Sequence, residues 1–387
     1  MRIVVGMSGG VDSSVAAHLL LEQGHEVIGL FMRNWVDESV TINNACPWVD
    51  DANDAMLVAS HLGIPFQIID LSEAYRERIV EHMFAEYKAG RTPNPDVLCN
   101  REIKFDLFRS AALQLGADAI ATGHYCRRTT SADGVHHLLA GLDPNKDQSY
   151  FLCQVSQDQL ADAIFPLGEL EKPRVREIAV AAGLPNASKK DSQGLCFVGK
   201  VKLPTFLQQR LEVLKGPIVE IPAERVTADG GGSGLEPHVF DASTGTVVGE
   251  HPGAHFFTIG QRRGLHVGGK VQPLFVIGKH MESNTLFVGE GSNHPGLMRA
   301  GLTISSEDMH WVNPGAAPSA GAPMKVLTRI RYRQNLFSAT LTRHDSHWGL
   351  AFDAPQSGIA AGQFAAIHDL ETGEEILGSG VISEGQL

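Results

Sequence analysis

Residues 8–14, which read SGGVDSS, have the side-chain types and spacing most suited to chemistry. They follow an apolar run at residues 3–5 and precede a helix-like run at residues 15–20. Two glycines and several hydroxyls allow backbone N–H groups to close on a phosphate, and the following helix N-terminus adds positive potential. No Lys-Ser or Lys-Thr pair ends the segment, so it lacks the Walker A lysine that binds a γ-phosphate. We therefore predict a pyrophosphate site, because a plain connecting turn would not need Asp12 and three serines.

Cys99 and Cys196 lie in segments whose composition could activate a thiol. Cys99 ends a proline-containing segment and precedes a helical pattern, and a helix N-terminus stabilises a thiolate. Asp96 fits either a helix cap or an acid/base beside this thiol, while Cys99 also fits a buried, unreactive thiol. Cys196 follows two lysines in a glycine-containing segment, where cations favour the thiolate. Two activated thiols on loops indicate sulfur chemistry.

The composition indicates a soluble enzyme of several domains. The 387 residues, 43% of them apolar, suggest two or three domains with hydrophobic cores. No run of about eighteen apolar residues occurs and a strand begins at once, so we expect no membrane span, no signal peptide and a cytoplasmic location. Five cysteines without a C-x-x-C spacing argue against a disulfide framework or a zinc ribbon. With a net charge of −12, any contact with nucleic acid must be local.

Three compositional regimes follow one another along the chain. The first alternates short apolar strands with helical segments, which predicts a parallel sheet covered on both faces. The second is helical, with a helix start near Lys172, and the third has the short apolar runs of small antiparallel barrels. The predicted fold is α/β: a Rossmann-like parallel-sheet domain with a helical extension, followed by two small, mainly antiparallel β modules. The predicted strands of the sheet are residues 3–5, 27–32, 66–70 and 119–122, and the helices 51–62, 75–88 and 102–115. The predicted domains are a catalytic domain (1–212), a central small β domain (213–290) and a C-terminal β-barrel domain (291–387).

Two segments are locally basic. Residues 171–202 contain seven Lys or Arg against three Asp or Glu, and residues 325–343 contain five basic residues and no acidic one. In the second segment Arg329, Arg331 and Arg333 alternate with other residues, so a strand would present their guanidinium groups on one face. Solvated charge on an ordinary strand is the alternative. Three arginines without acidic partners nevertheless repel one another unless an anion meets them.

Further motifs occur in a specific order along the chain. They read SGGVDSS, AEYKAGRTPNPDVLCNREIKF, ATGHY, NKDQSYFL, KKDSQGLCF, FFTIGQRRGL and RIRYRQ. Together they resemble the motifs of tRNA-specific 2-thiouridylases, which exchange the C2 oxygen of the wobble uridine for sulfur. SGGVDSS alone is similar to the loop of the wider ATP pyrophosphatase (PP-loop) superfamily, whereas the two cysteine motifs are far narrower. The resemblance covers nearly the whole chain. Its departures, the glycine-rich residues 229–234 and His266 in place of the glycine usual in a GLGxGG turn, concern local geometry of the β modules.

The resemblance implies a set of site residues. Cys99 would be the nucleophile, Cys196 the persulfide carrier and Asp96 the acid/base. The residues implied for ATP are Gly6, Met7, Ser8, Gly9, Gly10, Val11, Asp12, Ser13, Met32 and Gly123. The residues implied for tRNA are Asn94, Pro95, Asp96, His124, Lys146, Asp147, Gln148, Arg331, Tyr332 and Gln363. From the residues alone, His124 fits a satisfied core histidine equally well.

The same resemblance implies a reaction. ATP adenylates the C2 oxygen of the wobble uridine, with Mg²⁺ on the phosphates and Asp12 as a candidate ligand, directly or through water. A persulfide on Cys196, supplied by a cysteine-desulfurase relay, then delivers sulfur as AMP departs, and a disulfide with Cys99 remains for a reductant. Direct persulfide attack and release of free hydrosulfide both fit. The implied tRNA substrates are the glutamate, glutamine and lysine acceptors, whose wobble base must leave its stack to enter the site.

Two other functions are compatible with parts of the sequence. An amidating ATP pyrophosphatase of the GMP-synthetase type would need an ammonia source, and the paired cysteine segments would then have no role. A non-catalytic tRNA-binding protein that retains an ATP fold would not turn over ATP when tRNA is added. The intact SGGVDSS segment and the two cysteines favour the thiolating enzyme.

Overall fold

The computed structural model describes residues 1–34, 47–190, 203–226 and 238–383, where helices and strands alternate first and strands then dominate. Its strands in these ranges are β1 (Arg2–Gly6), β2 (Glu26–Arg33), β3 (Phe66–Asp70), β4 (Ala119–Ala121), β5 (Cys126–Thr130), β6 (His136–Ala140), β7 (Ala163–Ile164), β8 (Gly216–Glu220), β9 (Thr246–His251), β10 (Leu274–His280), β11 (Thr285–Glu290), β12 (Met298–Trp311), β13 (Met324–Arg329), β14 (Phe337–Arg343), β15 (His347–Ser357), β16 (Phe364–His368) and β17 (Glu375–Ile382). Its α-helices are α1 (Val11–Glu22), α2 (Pro47–Leu62), α3 (Ser72–Tyr75), α4 (Glu81–Lys88), α5 (Pro95–Cys99), α6 (Arg109–Gln114), α7 (Gln157–Ala161), α8 (Lys172–Ala181) and α9 (Leu203–Leu207). Cys196 and the glycine-rich residues 229–234 lie outside the described residues.

The N-terminal sheet has five parallel strands in the order β3-β2-β1-β4-β7. In the register of this sheet Val4 pairs with Ile28 on one side and with Ile120 on the other. The chain builds one half of the sheet from β1 to β3 and then crosses back, so the strand order reverses between β1 and β4. The predicted parallel sheet is confirmed. The short strand β7 adds a fifth strand to this sheet next to β4. It lies in the part of the chain for which the sequence pattern predicts helices.

Helices cover both faces of this sheet, as the sequence predicted. Val4 points to the core beneath α3 to α6, while Val5 points to the core beneath α1, α2 and α8. The π-helical segments Arg76–Val80 and Asn100–Phe108 join α3 to α4 and α5 to α6 into two long helical stretches. The predicted helix start is also confirmed, because α8 begins at Lys172 with a proline in its first turn. Among the described residues, no helix has both the length and the apolar character needed to cross a membrane.

The two later modules are mainly antiparallel, as expected. The central module is a four-stranded sheet in the order β10-β11-β8-β9, in which β8 and β11 are parallel. The C-terminal module contains β12 to β17, and β12 pairs with both β15 and β17. This second pairing closes six strands into a barrel, which removes the open sheet edges.

A hairpin from the first half of the chain joins the C-terminal barrel. Strands β5 and β6 pair with each other, and β6 pairs with β17 through Leu138 opposite Ile376. The local sequence predicts no strand here, because the segment is polar and its partner strand β17 lies more than two hundred residues away. The hairpin joins the parallel-sheet domain to the barrel through the pairing of β6 with β17.

Candidate active site at the carboxyl end of the parallel sheet

The turn after β1 has the shape of an anion site. Gly9 has φ +71°, and a Cβ there would lie 2.2 Å from the Asp51 carbonyl oxygen, so glycine is required. The Ser8 N–H donates to Ser13 Oγ at 3.1 Å, and this hydroxyl donates to the Gly10 carbonyl at 3.1 Å. Within the part of the chain that the structure describes, no side chain caps α1 at Gly10. The first N–H groups of α1 therefore remain available to a phosphate.

The loop after β4 approaches this turn closely. A Cβ at Gly123 would lie 2.8 Å from the Ser13 backbone nitrogen, and Met32 Cε lies 3.5 Å from the Cβ position of Gly6. The turn thus occupies the point where the strand order reverses, which is the crevice where open α/β sheets bind ligands. The structure brings to this one edge all the residues predicted for the nucleotide, namely Gly6, Met7, Ser8, Gly9, Gly10, Val11, Asp12, Ser13, Met32 and Gly123.

Asp12 is held by two side chains that the sequence analysis did not assign to the site. Lys172 Nζ donates to Asp12 Oδ1 at 2.6 Å, and the Tyr125 hydroxyl donates to the same oxygen at 2.8 Å. The Lys172 ammonium also lies 5.8 Å from the centre of the Tyr125 ring. Lys172 is the first residue of α8, and its sequence context indicated only a helix start. The Lys172 ammonium therefore lies beside the turn at residues 8–14, which has no Lys or Arg of its own.

A second lysine and an asparagine brace the turn from behind. Asn186 Nδ2 donates to the Gly9 carbonyl at 3.0 Å, and Lys189 Nζ donates to the same carbonyl at 3.2 Å. Lys189 also pairs with Asp51 at 2.7 Å and with Asp54 at 2.5 Å. Burial opposes its charge, but the hydrogen bonds that Lys189 donates to these two carboxylates raise its pKa above the ordinary value. The Gly9 carbonyl of the turn is thus fixed by two donors.

Cys99 lies inside a helix rather than on a loop, so that expectation is wrong. Pro95 begins α5, Asn94 caps it by accepting from the Val97 N–H at 3.3 Å, and Cys99 is its last residue before the π-helical segment continues. Asp96 lies in the first turn and is not the cap, so the capping alternative for it is also wrong. The Cys99 side chain is 0% exposed. The aspartate's acid/base role stays a prediction.

The helical stretch that carries Cys99 passes the end of β4. Lys104 Nζ lies 3.4 Å from His124 Nε2, and Thr122 Oγ1 lies 2.8 Å from His124 Nδ1. Burial, together with the nearby Lys104 charge, holds the pKa of His124 well below its ordinary value. His124 is therefore neutral near pH 7, and both of its ring nitrogens have partners within the protein, as in the satisfied core histidine that the sequence also allowed.

Some of the residues predicted to bind tRNA are buried or hydrogen-bonded within the protein. Asp147 is 5% exposed and accepts from the Gly141 and Ser149 N–H groups and from Arg329. Its oxygens are thus engaged within the protein. Gln148 likewise accepts from the Tyr125 N–H at 3.1 Å.

Three other predicted tRNA residues meet near the start of α5. Gln363 Nε2 donates to the Pro93 carbonyl at 3.1 Å, next to Asn94 and Pro95. The predicted tRNA role of Asn94, Pro95, Asp96, His124, Lys146, Asp147, Gln148, Arg331, Tyr332 and Gln363 stays a prediction.

The predicted row of guanidinium groups is wrong. Strand β13 ends at Arg329, which pairs with Asp147 at 3.0 Å. Arg331 donates to the Ile259 carbonyl at 2.7 Å, and Arg333 lies over the Tyr332 ring with φ +66°. A turn after the strand sends each side chain in a different direction, which the alternating sequence could not reveal.

The basic segment 171–202 is also largely neutralised where the structure describes it. Lys172 pairs with Asp12, Lys189 with two aspartates and Arg174 with Glu177 at 2.9 Å. Because the carboxylates that pair with Lys172 and Lys189 lie outside the segment, a local charge count overstated the positive patch.

The parallel sheet, the strand-order reversal and a glycine-serine turn without a Walker lysine define an ATP pyrophosphatase-type domain, here followed by two β modules. Residues 1–200 match the family model described as the tRNA methyl transferase HUP domain. Residues 231–290 match the tRNA methyl transferase PRC-barrel domain, and residues 302–382 match the Aminomethyltransferase beta-barrel domain. The predicted domain boundaries at 212/213 and 290/291 stay predictions.

Relatives with high identity span the chain from end to end. The tRNA-specific 2-thiouridylase MnmA of Flavobacterium johnsoniae is 56% identical over 99% of this chain and 100% of its own length. That of Christiangramia forsetii is 54% identical over 99% and 100%. A solved 4-thiouridine synthetase–RNA complex with bound ATP is 19% identical, with a TM-score of 0.33, over 54% of this chain and 49% of that chain. The chain belongs to the tRNA-specific 2-thiouridylase family, a family of sulfurtransferase enzymes, and the resemblance drawn from its motifs is confirmed.

Proposed function

We propose that this protein uses ATP to adenylate the C2 oxygen of the wobble uridine in tRNA and then replaces that oxygen with sulfur. The products are 2-thiouridine, AMP and pyrophosphate. The observation that carries the proposal is the open turn at residues 8–14, at the strand-order reversal, in a chain of the 2-thiouridylase family. The proposed substrates are the tRNA acceptors of glutamate, glutamine and lysine.

Activation is the first step because a uracil C2 carbonyl is a poor electrophile with a poor leaving oxygen. That oxygen attacks the α-phosphate of ATP, and the bond to the β-phosphate breaks. The N–H groups at the start of α1 receive the departing pyrophosphate, and Lys172 neutralises Asp12, whose carboxylate would otherwise repel it. Mg²⁺ is commonly held by one or two carboxylates together with substrate phosphates, and Asp12 is the carboxylate that this turn offers. When bound, the ion would neutralise phosphate charge.

Sulfur transfer is the second step. A persulfide on Cys196, loaded by a cysteine-desulfurase relay, attacks C2, and AMP leaves with the original oxygen. Cys99 thiolate then attacks the Cys196 sulfur, the bond to the transferred sulfur breaks, and 2-thiouridine and a Cys99–Cys196 disulfide result. In the alternative order Cys99 attacks the persulfide first and releases hydrosulfide, which leaves the same disulfide. A thiol reductant restores both cysteines in either order.

The acid/base role in these steps falls to Asp96. It lies one turn before the buried Cys99 on the same helix, and it is itself partly exposed. A base that enters beside Asn94 would meet Asp96 before it reached the thiol. Asp96 would protonate or deprotonate the uridine as the C2 oxygen is exchanged.

The test combines the purified protein, substrate tRNA, ATP, Mg²⁺, a cysteine desulfurase and cysteine. We expect 2-thiouridine by mass spectrometry and pyrophosphate release that depends on tRNA. Cys99→Ser and Cys196→Ser should abolish thiolation and leave ATP binding nearly intact. Cys153→Ala is the control, because burial raises the pKa of Cys153 to about 12 and keeps it a thiol.

Three outcomes would contradict the proposal. Full thiolation by either serine variant would remove the cysteines from the reaction. ATP that is bound but not turned over with tRNA would indicate a non-catalytic tRNA-binding protein. Transfer of ammonia rather than sulfur would indicate an amidating enzyme.

A further inference from the structure

An exposed basic loop of the central β module has no role in the reaction described above. We define the basic loop as residues 261–270, which precede β10. We propose that Arg262 and Arg263 in this loop bind the phosphate backbone of the tRNA substrate. The inference rests on the proposed function, because it takes the substrate to be RNA.

The local charge of this loop contrasts with that of the chain. Residues 251–281 contain no Asp or Glu, although the net charge of the chain is −12. Arg262 and Arg263 are exposed, and within the described ranges neither guanidinium has a hydrogen-bond or ion-pair partner. Lys270, at the end of the loop, is by contrast neutralised by Glu220. Two adjacent uncompensated guanidinium groups repel each other, and a phosphate between them removes that repulsion.

The segment just before the basic loop contacts the segment that leads to Cys99. Thr258 Oγ1 lies 3.1 Å from Thr92 Oγ1. Lys279, in the neighbouring strand β10, donates to the Phe257 carbonyl at 2.9 Å and also to the Gly90 carbonyl. Arg262 follows Thr258 by four residues, so their Cα atoms lie within about 14 Å of each other. An RNA whose base enters beside residues 94–96 would therefore bring neighbouring phosphates to the arginines.

Arg331 holds the residues just before the basic loop in place. Its guanidinium donates to the Ile259 carbonyl at 2.7 Å and lies 3.3 Å from the Cβ position of Gly358. Gly260, the next residue, approaches Gly358 so closely that an added Cβ would lie 3.2 Å from its Cα. A partly buried arginine thus fixes the loop, while the exposed pair beyond it faces solvent. This division suits phosphate contacts that position the RNA without reading its sequence.

The experiment measures tRNA binding by fluorescence anisotropy across a salt series with the full-length protein. Arg262→Gln/Arg263→Gln should bind labelled substrate tRNA about 5- to 30-fold more weakly at about 0.15 M salt. The slope of log K against log salt should fall by about 0.7 to 0.9 for each phosphate that the variant no longer neutralises. Arg262→Lys/Arg263→Lys, which keeps both charges, should retain most of the slope.

A matched control removes two cations that already have partners. Lys215→Gln/Lys325→Gln changes the net charge equally, but these lysines pair with Glu250 and Asp353. We expect this control to change neither affinity nor slope beyond a small uniform shift. ATP binding and thermal unfolding of both double variants should match the wild-type protein, because all four side chains are exposed.

The outcomes separate this inference from the proposed function. Suppose that the wild-type protein thiolates tRNA but Arg262→Gln/Arg263→Gln keeps both the wild-type tRNA affinity and the wild-type salt slope. The inference is then wrong and the proposed function stands. If tRNA affinity is unchanged while sulfur delivery from the donor slows, the loop binds a protein and the inference is wrong. If wild-type protein does not thiolate tRNA, the proposed function fails, whatever the salt series shows.

Discussion

Lys172 Nζ lies 2.6 Å from Asp12 Oδ1, although 160 residues separate the two along the chain. Walker loops contain their own phosphate-binding lysine, whereas the turn at residues 8–14 has none. The first residue of α8 places an ammonium beside the turn from outside it, paired with Asp12, and the Tyr125 hydroxyl donates to the same carboxylate. The conformation of the turn and the placement of α8 are therefore linked through Asp12.

Lys172→Gln should weaken the productive binding of ATP. A hydrogen bond to a charged group contributes about 1.5 to 3 kcal/mol, so we expect KM for ATP to rise roughly 10- to 100-fold. Lys172→Arg should recover part of the loss because it keeps the charge. Arg174→Gln, an exposed position on the same helix, is the control. Pyrophosphate release at varied ATP gives these values, and an unchanged KM in Lys172→Gln would leave Lys172 a purely structural role.

Gly9→Ala should damage both stability and nucleotide binding. The substitution meets a positive φ and a carbonyl oxygen 2.2 Å from the new Cβ. Gly24→Ala separates the two effects, because Gly24 has φ +80° with nothing within 4 Å of its Cβ position. We expect about 1 kcal/mol of destabilisation for Gly24→Ala and clearly more for Gly9→Ala, with ATP binding lost only in the latter. Denaturant unfolding and ATP titration measure both, and equal effects of the two variants would contradict the steric argument.

His266→Gly should stabilise the central module. His266 has φ +53°, a conformation in which glycine carries no Cβ penalty, and the family resemblance places a glycine at this position. We expect a gain of about 1 kcal/mol in the free energy of unfolding, reduced by the greater backbone freedom of glycine in the unfolded chain. His266→Ala keeps the Cβ and should give no gain. A loss of stability in His266→Gly would contradict the prediction. It would mean that contacts of the imidazole stabilise the fold by more than the positive φ destabilises it.

Acid should destabilise the fold through His368. Burial, with the nearby Arg329 charge, lowers the pKa of His368 from 6.5 to about 4. Between these values the unfolded chain binds a proton that the folded protein does not, so stability falls as pH falls through this window. This one group contributes a loss of up to about 3 kcal/mol.

Unfolding midpoints at pH 7 and pH 5 test this prediction. His368→Leu should show a smaller fall between them than the wild-type protein, while the exposed control His344→Gln should match the wild type. An NMR titration of the His368 ring in the wild-type protein checks the pKa directly. A ring that titrates near 6.5 would contradict the prediction.

Local patterns were sufficient to predict much of the site. Glycines, hydroxyls and a helix start within one short segment predict a phosphate turn, because each residue acts on its own backbone neighbourhood. Alternating apolar strands and helices predict the parallel sheet for the same reason. The proline in the first turn of α8 correctly predicted where this helix begins. By contrast, α5 begins at Pro95 with Asn94 as its cap, earlier than predicted, so Cys99 lies within the helix.

The residue order alone determined the fold class and the family and predicted the phosphate turn, since short-range spacing determines backbone conformation and motifs. Which polar groups pair was decided only by the tertiary structure, as Lys172 with Asp12 and Arg329 with Asp147 show. The joining of the β5–β6 hairpin to β17 was decided in the same way. A charged or extended segment can satisfy its hydrogen bonds with many partners. The choice among them follows from the packing of distant apolar faces, which local spacing does not specify.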